Sequence, residues 1–162
     1  MKKEANKKNA LNPMPKVIVT VRDKDGNDNA LVVGYCGNCS YAPPMVMIGI
    51  VPSRYSYHMI KENKVFVVHL VTKDQTELYN ACGKKSGRDG DKFAGLNIKL
   101  SEGKKVNAKV IEDCPVAIEC SVVNSIMTGS HEMFIGKVEY VHANEELIDE
   151  NGNLDTSSLD LM

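Results

Sequence analysis

Neither sign of charge predominates in this 162-residue chain, in which 20 Lys and Arg stand against 21 Asp and Glu. Such a balance leaves no electrostatic footprint for nucleic acid, and no cationic amphipathic run is present to lie on a membrane surface. Long apolar stretches are missing too, and none approaches the roughly 18 residues of a membrane span. Met1–Asn12 is basic and polar, but Pro13, Pro15 and Lys16 intervene before Val17, so no signal-peptide apolar segment forms there. The expected location is cytoplasmic. The five cysteines, 36, 39, 82, 114 and 120, make an odd number, which argues against a disulfide framework. Cys36 and Cys39 lack the second close Cys or His pair of a structural zinc site, so no metal is expected. Tyr41, Pro43 and Pro44 follow that pair and forbid the helix that a thioredoxin-like dithiol opens, which leaves packing or loop cysteines as the main reading and a redox pair or zinc as alternatives. No Gly-x-Gly-x-x-Gly fingerprint, Walker-type Gly-Lys-Ser/Thr order or internal repeat is present.

What is present reads as one domain of residues 15–150, with a flexible tail at 1–14 and a loosely held extension at 151–162. Lys16–Arg22 is β-branched and apolar, Asp23–Asn29 is dense in turn formers, and Ala30–Tyr35 is apolar again, which predicts a hairpin. Met45–Val51 is bounded by Pro44 and Pro52 and predicts a buried strand. Ser53 then caps a short helix over Arg54–Glu62, and Asp74 caps a second over Asp74–Ala81, with strand Lys64–Val71 between them. Val106–Ile111, Val116–Ile126 and Met133–Val141 complete about seven strands. Strands at this spacing, mostly joined by turns, favour a mainly β, antiparallel barrel.

The segment from Cys82 to Phe93 sets Lys84, Lys85, Arg88 and Lys92 among Gly83, Gly87 and Gly90, between strand-like segments. Glycines let backbone amides approach an anion, and Arg88 or Lys92 can complete its charge, so a phosphate is the natural ligand. Ser53-Arg54-Tyr55-Ser56 opens the first helix, where free amides and the dipole suit the same group. Asn29–Ser40 is small, glycine-containing and uncharged, as a surface for a flat ring would be. His131 stands at a hairpin tip between two good strands.

Six motifs in order, Asn29-Ala30, Ser40–Val46, Pro52–Tyr57, Ser86–Phe93, Glu112–Pro115 and Gly129–Gly136, resemble those of the flavin reductase-like, FMN-binding split-barrel family, its flavoredoxin branch most closely. The resemblance implies an antiparallel Greek-key split β-barrel with short helices, working as a homodimer with FMN near the subunit interface. It implies a reductase passing electrons from NADH or NADPH to FMN and on to free flavin, or alternatively a carrier that exchanges electrons with a redox protein partner. Residue by residue, it places Asn29, Ala30 and the Tyr35-Cys36-Gly37-Asn38 backbone on the ring side; the Cys-x-x-Cys there departs from the family's usual Thr, Ser or single Cys, and Cys36 is expected to contact the isoalloxazine. Arg54, Ser56, Ser86, Arg88 and Lys92 fall on the phosphate and ribityl side, and His131 beside the nicotinamide. Relatives continue past the position of Met162 into a Gly/aromatic segment near the flavin, so a more exposed flavin is expected.

Overall fold

Strand β1 (Val17–Arg22) is buried along its whole length in the computed structural model, which describes residues 1–162. The chain continues through β2 (Asp28–Val33), β3 (Cys36–Tyr41), β4 (Pro44–Ile50), α1 (Tyr55–Asn63), β5 (Val65–Leu70) and α2 (Thr76–Lys84). It ends with β6 (Leu100–Glu102), β7 (Lys109–Ile111), β8 (Val116–Met127) and β9 (Glu132–Ala143). Seven strands form one antiparallel sheet in the order β2-β1-β5-β8-β9-β4-β3, while β6 and β7 make a separate ribbon. The sheet curls around a core of Val19, Ile48, Phe66, Cys120 and Phe134, which Met59 and Ile60 of α1 close. Edge strands β2 and β3 do not pair, so the barrel is split.

Period-two alternation explains the double burial of β1. Val17, Val19 and Val21 point into the barrel, whereas Ile18 packs outside it with Leu78 and Cys82 of α2 and with Ile111 of β7. A third cluster, Val67, Val106, Ala108, Val110 and Ala117, seals the outer face of β5 and β8. Glu119, with no exposed surface, fastens the segment above it by accepting the amides of Lys104 and Lys105 at 2.7 Å and Val106 at 2.9 Å, and it also meets His142 Nε2 at 2.5 Å. These bonds satisfy the carboxylate, whose burial would otherwise be costly.

The elements differ from the sequence expectation in places with identifiable causes. Cys36–Tyr41 is a strand, although its Gly, Asn and Ser lack β propensity; pairing with β4 holds it. The hairpin strand ends at Val33 rather than Tyr35, and the ribbon strand β7 covers only Lys109–Ile111, with β6 as an unforeseen partner. Arg54, not Ser53, is the N-cap of α1, and no side chain caps that helix. Before α2, Thr72 and Gln75 make a capping box on a 3-10 turn, in place of a cap by Asp74. The C-terminal segment is tied down: Met162 N donates to Val71 O at 2.9 Å, Lys73 N to Asp160 O at 2.9 Å, and Leu161 bridges Thr72.

His69 joins three strands. Its Nδ1 lies 3.2 Å from Ile18 O and its Nε2 accepts the amide of Ile111 at 3.0 Å, a pairing that requires the neutral ring with the proton on Nδ1. Complete burial is the main cause that pushes this imidazole down to about 4. Because the folded value lies below that of the unfolded chain, the stabilisation is full above the unfolded value and is lost as pH falls. Urea unfolding should therefore show stability dropping by about 3 kcal/mol between neutral pH and pH 4 from this group, a slope that a His69→Gln variant flattens.

Candidate functional site

Two adjoining cavities open where β2, the start of α1 and the segment after α2 meet. The larger, about 410 Å³, is lined by Asn29, Arg54, Ser56, Ser86, Arg88 and Lys92, together with Lys84, Lys85 and the Gly83 and Gly87 backbone. No Asp or Glu lines it. The six ion pairs of the protein involve Arg22, Lys61, Lys73, Lys109 and His142, so every cation around this cavity lacks a carboxylate partner. The first turn of α1 adds an uncapped N-terminus with no acidic residue near it. Unneutralised cations, open amides and a helix dipole together favour a dianionic group such as a phosphate.

The local sequence explains how each group is held. Asn29 on β2 is buried and donates from Nδ2 to Ser56 Oγ at 2.7 Å, tying the sheet to the first turn of α1. Arg88 Nη2 donates to Ser53 O at 3.2 Å, and its guanidinium lies 5.7 Å from the Tyr55 ring centre, so it spans the mouth. Ser86 Oγ accepts the Arg88 amide at 3.2 Å and starts the 3-10 turn Gly87–Asp89. A Cβ at Gly87 would lie 2.3 Å from the Tyr55 ring and 2.8 Å from Asn29 Oδ1, so this turn reaches the helix only with glycine there. Lys92 is buried; its Nζ donates to Ala30 O at 2.5 Å and Cys82 O at 2.9 Å, leaving a third proton for a ligand. Desolvation holds this ammonium below the ordinary lysine value.

The smaller cavity, about 240 Å³, is mostly apolar and shares Leu31, Val32, Val51 and Arg54 with the larger. Tyr35 and His131 face each other across one side of it, with ring centres 4.5 Å apart, and Ser130 Oγ lies 2.7 Å from His131 Nδ1. Gly49 forms part of the floor: a Cβ there would fall 2.7 Å from Met133 Sδ and 3.1 Å from Tyr35 Cβ. Such a slot suits a flat ring system. The geometry therefore sets a cationic cavity without carboxylates beside a ring-sized apolar one, on a split barrel.

Of the residues singled out in the sequence, Asn29, Arg54, Ser56, Ser86, Arg88 and Lys92 converge on the first cavity, and Tyr35 and His131 on the second. Ala30, Cys36, Gly37 and Asn38 line neither. Ala30 faces the outer cluster against α2, because neighbouring residues of β2 alternate in direction. Cys36 packs on the barrel core, and burial pushes its thiol up to about 11. Cys39 is the unpaired residue of a bulge in β3. Both thiols are free, and their place three residues apart along one strand disfavours a disulfide between them. Lys84 and Lys85 escaped the site assignment because a charge pair at a helix end ordinarily faces solvent. Met14, which lines the second cavity, escaped because it lies in a segment read as a tail.

The Flavin reductase like domain family matches residues 10–158, and the chain belongs to that family. More particularly, it resembles the flavoredoxin of Desulfovibrio vulgaris (Miyazaki F), with a TM-score of 0.86 and 27% identity over 96% of this chain and 83% of that one. A curated protein of Archaeoglobus fulgidus, without an assigned function, is 32% identical over 70% of this chain and 64% of its own length. A flavin reductase of Pseudomonas putida is 28% identical over 79% of this chain and 72% of its own. The chain spans 42 to 64% of the length of three of the curated relatives it matches.

Glu132 locks the two parts of the site together. Almost fully buried, it accepts from Tyr57 Oη, from Lys61 Nζ at 3.1 Å and from Ser125 Oγ at 2.6 Å, so the hairpin bearing His131 is bound to α1, the helix that Arg54 precedes. These hydrogen bonds, led by that from Ser125, hold its carboxyl below the usual glutamate value. Glu132→Ala leaves Tyr57 and Ser125 without their acceptor and should cost about 2–3 kcal/mol in urea unfolding. Cross-peaks of His131 should broaden or shift in the same variant.

Proposed function

We propose that the protein is an FMN-binding oxidoreductase of flavin reductase type, taking electrons from NADH or NADPH. The observation that carries this reading is the cavity ringed by Arg54, Lys84, Lys85, Arg88 and Lys92 without a single carboxylate, continuous with the ring-sized slot beside Tyr35 and His131. The residues fit FMN. Arg54, Ser56, Arg88 and the α1 N-terminus would hold its phosphate, Lys92 and Asn29 its ribityl chain, and the apolar lining of Leu31, Val32 and Val51 its ring system. When bound, flavin supplies the two-electron chemistry, so the chain needs no nucleophile or acid of its own.

The chain's part is position and environment. Asn29 and Ser56, bonded to each other, fix the strand and helix that flank the ligand. Gly87 lets the cationic turn close against Tyr55. His131, oriented by Ser130, borders the open side of the slot, where a nicotinamide would approach. Similarity to flavoredoxin favours a second reading, in which the same site passes electrons to a redox protein without a nicotinamide step.

Anaerobic visible spectra separate these readings. Flavin bands that bleach rapidly on adding NADH or NADPH support the reductase, bands that persist until a redox protein is added support the carrier, and failure to take up FMN sinks both. Arg54→Ala should weaken FMN binding about thirtyfold by fluorescence titration, through loss of one charge-assisted contact of roughly 2 kcal/mol. A homodimer belongs to the same proposal. Edge strand β3 with Tyr41, 92% exposed, and the apolar β8 residues Val123, Ile126 and Met127 support it. Light scattering should give twice the chain mass; a monomer mass overturns that part.

A further inference from the structure

The basic N-terminal segment returns to the mouth of the second cavity and touches it at two points. Met14 is half-buried and lines the slot beside Gly34, Tyr35 and His131. Its Sδ and Cε approach the Cβ position of Gly34 to 3.9 Å, as does Pro15 O, so the segment lies flat against the chain leading out of β2. Further out, the Tyr35 hydroxyl donates to Asn9 Oδ1, and Asn12 Nδ2 donates to Asn9 O. Asn9 has a positive φ of 54°, a conformation that asparagine tolerates better than most residues, and it turns the chain over Tyr35. Between these two contacts nothing else holds the segment: Leu11 is 88% exposed, and Asn12 and Pro13 are exposed as well.

We propose that residues 9–14 form a strap across the second cavity, with Met14 as a specificity-determining residue that limits the width of the ring system admitted beside His131. The strap rests on the proposed reading of that cavity as the slot of the flavin ring, at whose open side, beside His131, a flat donor or acceptor stacks. Two features make it a movable wall. A single side-chain hydrogen bond at Tyr35 and one thioether contact are weak anchors, of the kind released by local opening without unfolding the barrel. Methionine, unbranched and polarisable, is also the side chain best able to repack against rings of differing outline. With the strap seated, the slot is bounded by Met14 on one side and by Tyr35 and His131 on another; with it released, the slot opens to solvent on the Met14 side.

Two measurements on the full chain test this. The first is the rate of tryptic cleavage after Lys8, the exposed site next to the Asn9 anchor. Tyr35→Phe, which removes only the hydroxyl, should speed that cleavage about fivefold while circular dichroism stays unchanged, as expected for loss of one hydrogen bond. Equal cleavage rates in the two proteins overturn the strap. The second uses NADH or NADPH as donor and compares free FMN, a wide acceptor, with benzoquinone, a one-ring acceptor. Met14→Ala should lower KM for FMN about fivefold and change KM for benzoquinone by less than about twofold. Parallel changes for the two acceptors overturn the role of Met14. Cleavage needs neither cofactor nor turnover, so faster cleavage in a protein that reduces nothing upholds the strap and defeats the reductase reading instead.

Discussion

Burial of β1 on both faces is the constraint from which the rest of the structure follows. A strand covered on one side alone would need only the barrel, but here Ile18, with Ala30 of the neighbouring strand, requires a second layer, supplied by α2 and the β6–β7 ribbon. That requirement brings α2 over β2, and the end of α2 delivers Lys84, Lys85 and the Gly87 turn beside the start of α1. The binding cavity thus forms where the outer layer stops and the inner helix begins. His69 and Glu119 secure the same outer layer by polar means, each buried and each with its hydrogen-bonding capacity engaged by backbone groups.

Charge is distributed by function. On the outer layer, Arg22 is matched by Asp28 and Glu102, and Lys109 by Glu102, so these charges cancel locally and serve the fold. Around the larger cavity the cations have no such partners, although the protein as a whole is nearly neutral. Leaving like charges close together costs free energy that an ordinary surface avoids, and a dianion bound there would recover it. Paired cations serve the fold, and a group of unpaired ones is gathered at a single cavity.

Much of the fold was legible because β1, β4, β5 and the paired long strands β8 and β9 are β-branched or alternating, and their burial follows that pattern. β3 was not, since Gly37, Asn38 and Ser40 take their extended form from pairing with β4 rather than from propensity. The gathering of Arg54, Arg88 and Lys92 at one cavity could be read from the sequence because glycine-rich, charged segments between strands have a chemical meaning on their own. The ring-side assignment was less legible. Whether Cys36 or Tyr35 meets the slot depends on which side of β3 faces the core, and a strand unrecognised in the sequence gives no basis for that choice. Met14 shows the same limit from another direction, since a segment with no periodic pattern offers no sign of where it will be laid.

Gly87 and Gly49 bear on how such a site can change over evolutionary time. At both positions the neighbouring ring or sulfur already occupies the place of a side chain, so substitution there cannot be used to resize the cavities gradually. The freedom lies in chain length instead. The connection between α2 and β6 turns at Gly90 and Gly95, both at positive φ with open space around them, so residues can be added at those turns while Lys92, Phe93, Leu96 and Ile98 keep their places. A change in the size of these cavities should therefore come first from residues added at those turns, with the glycine contacts at Tyr55 and Tyr35 left as they are.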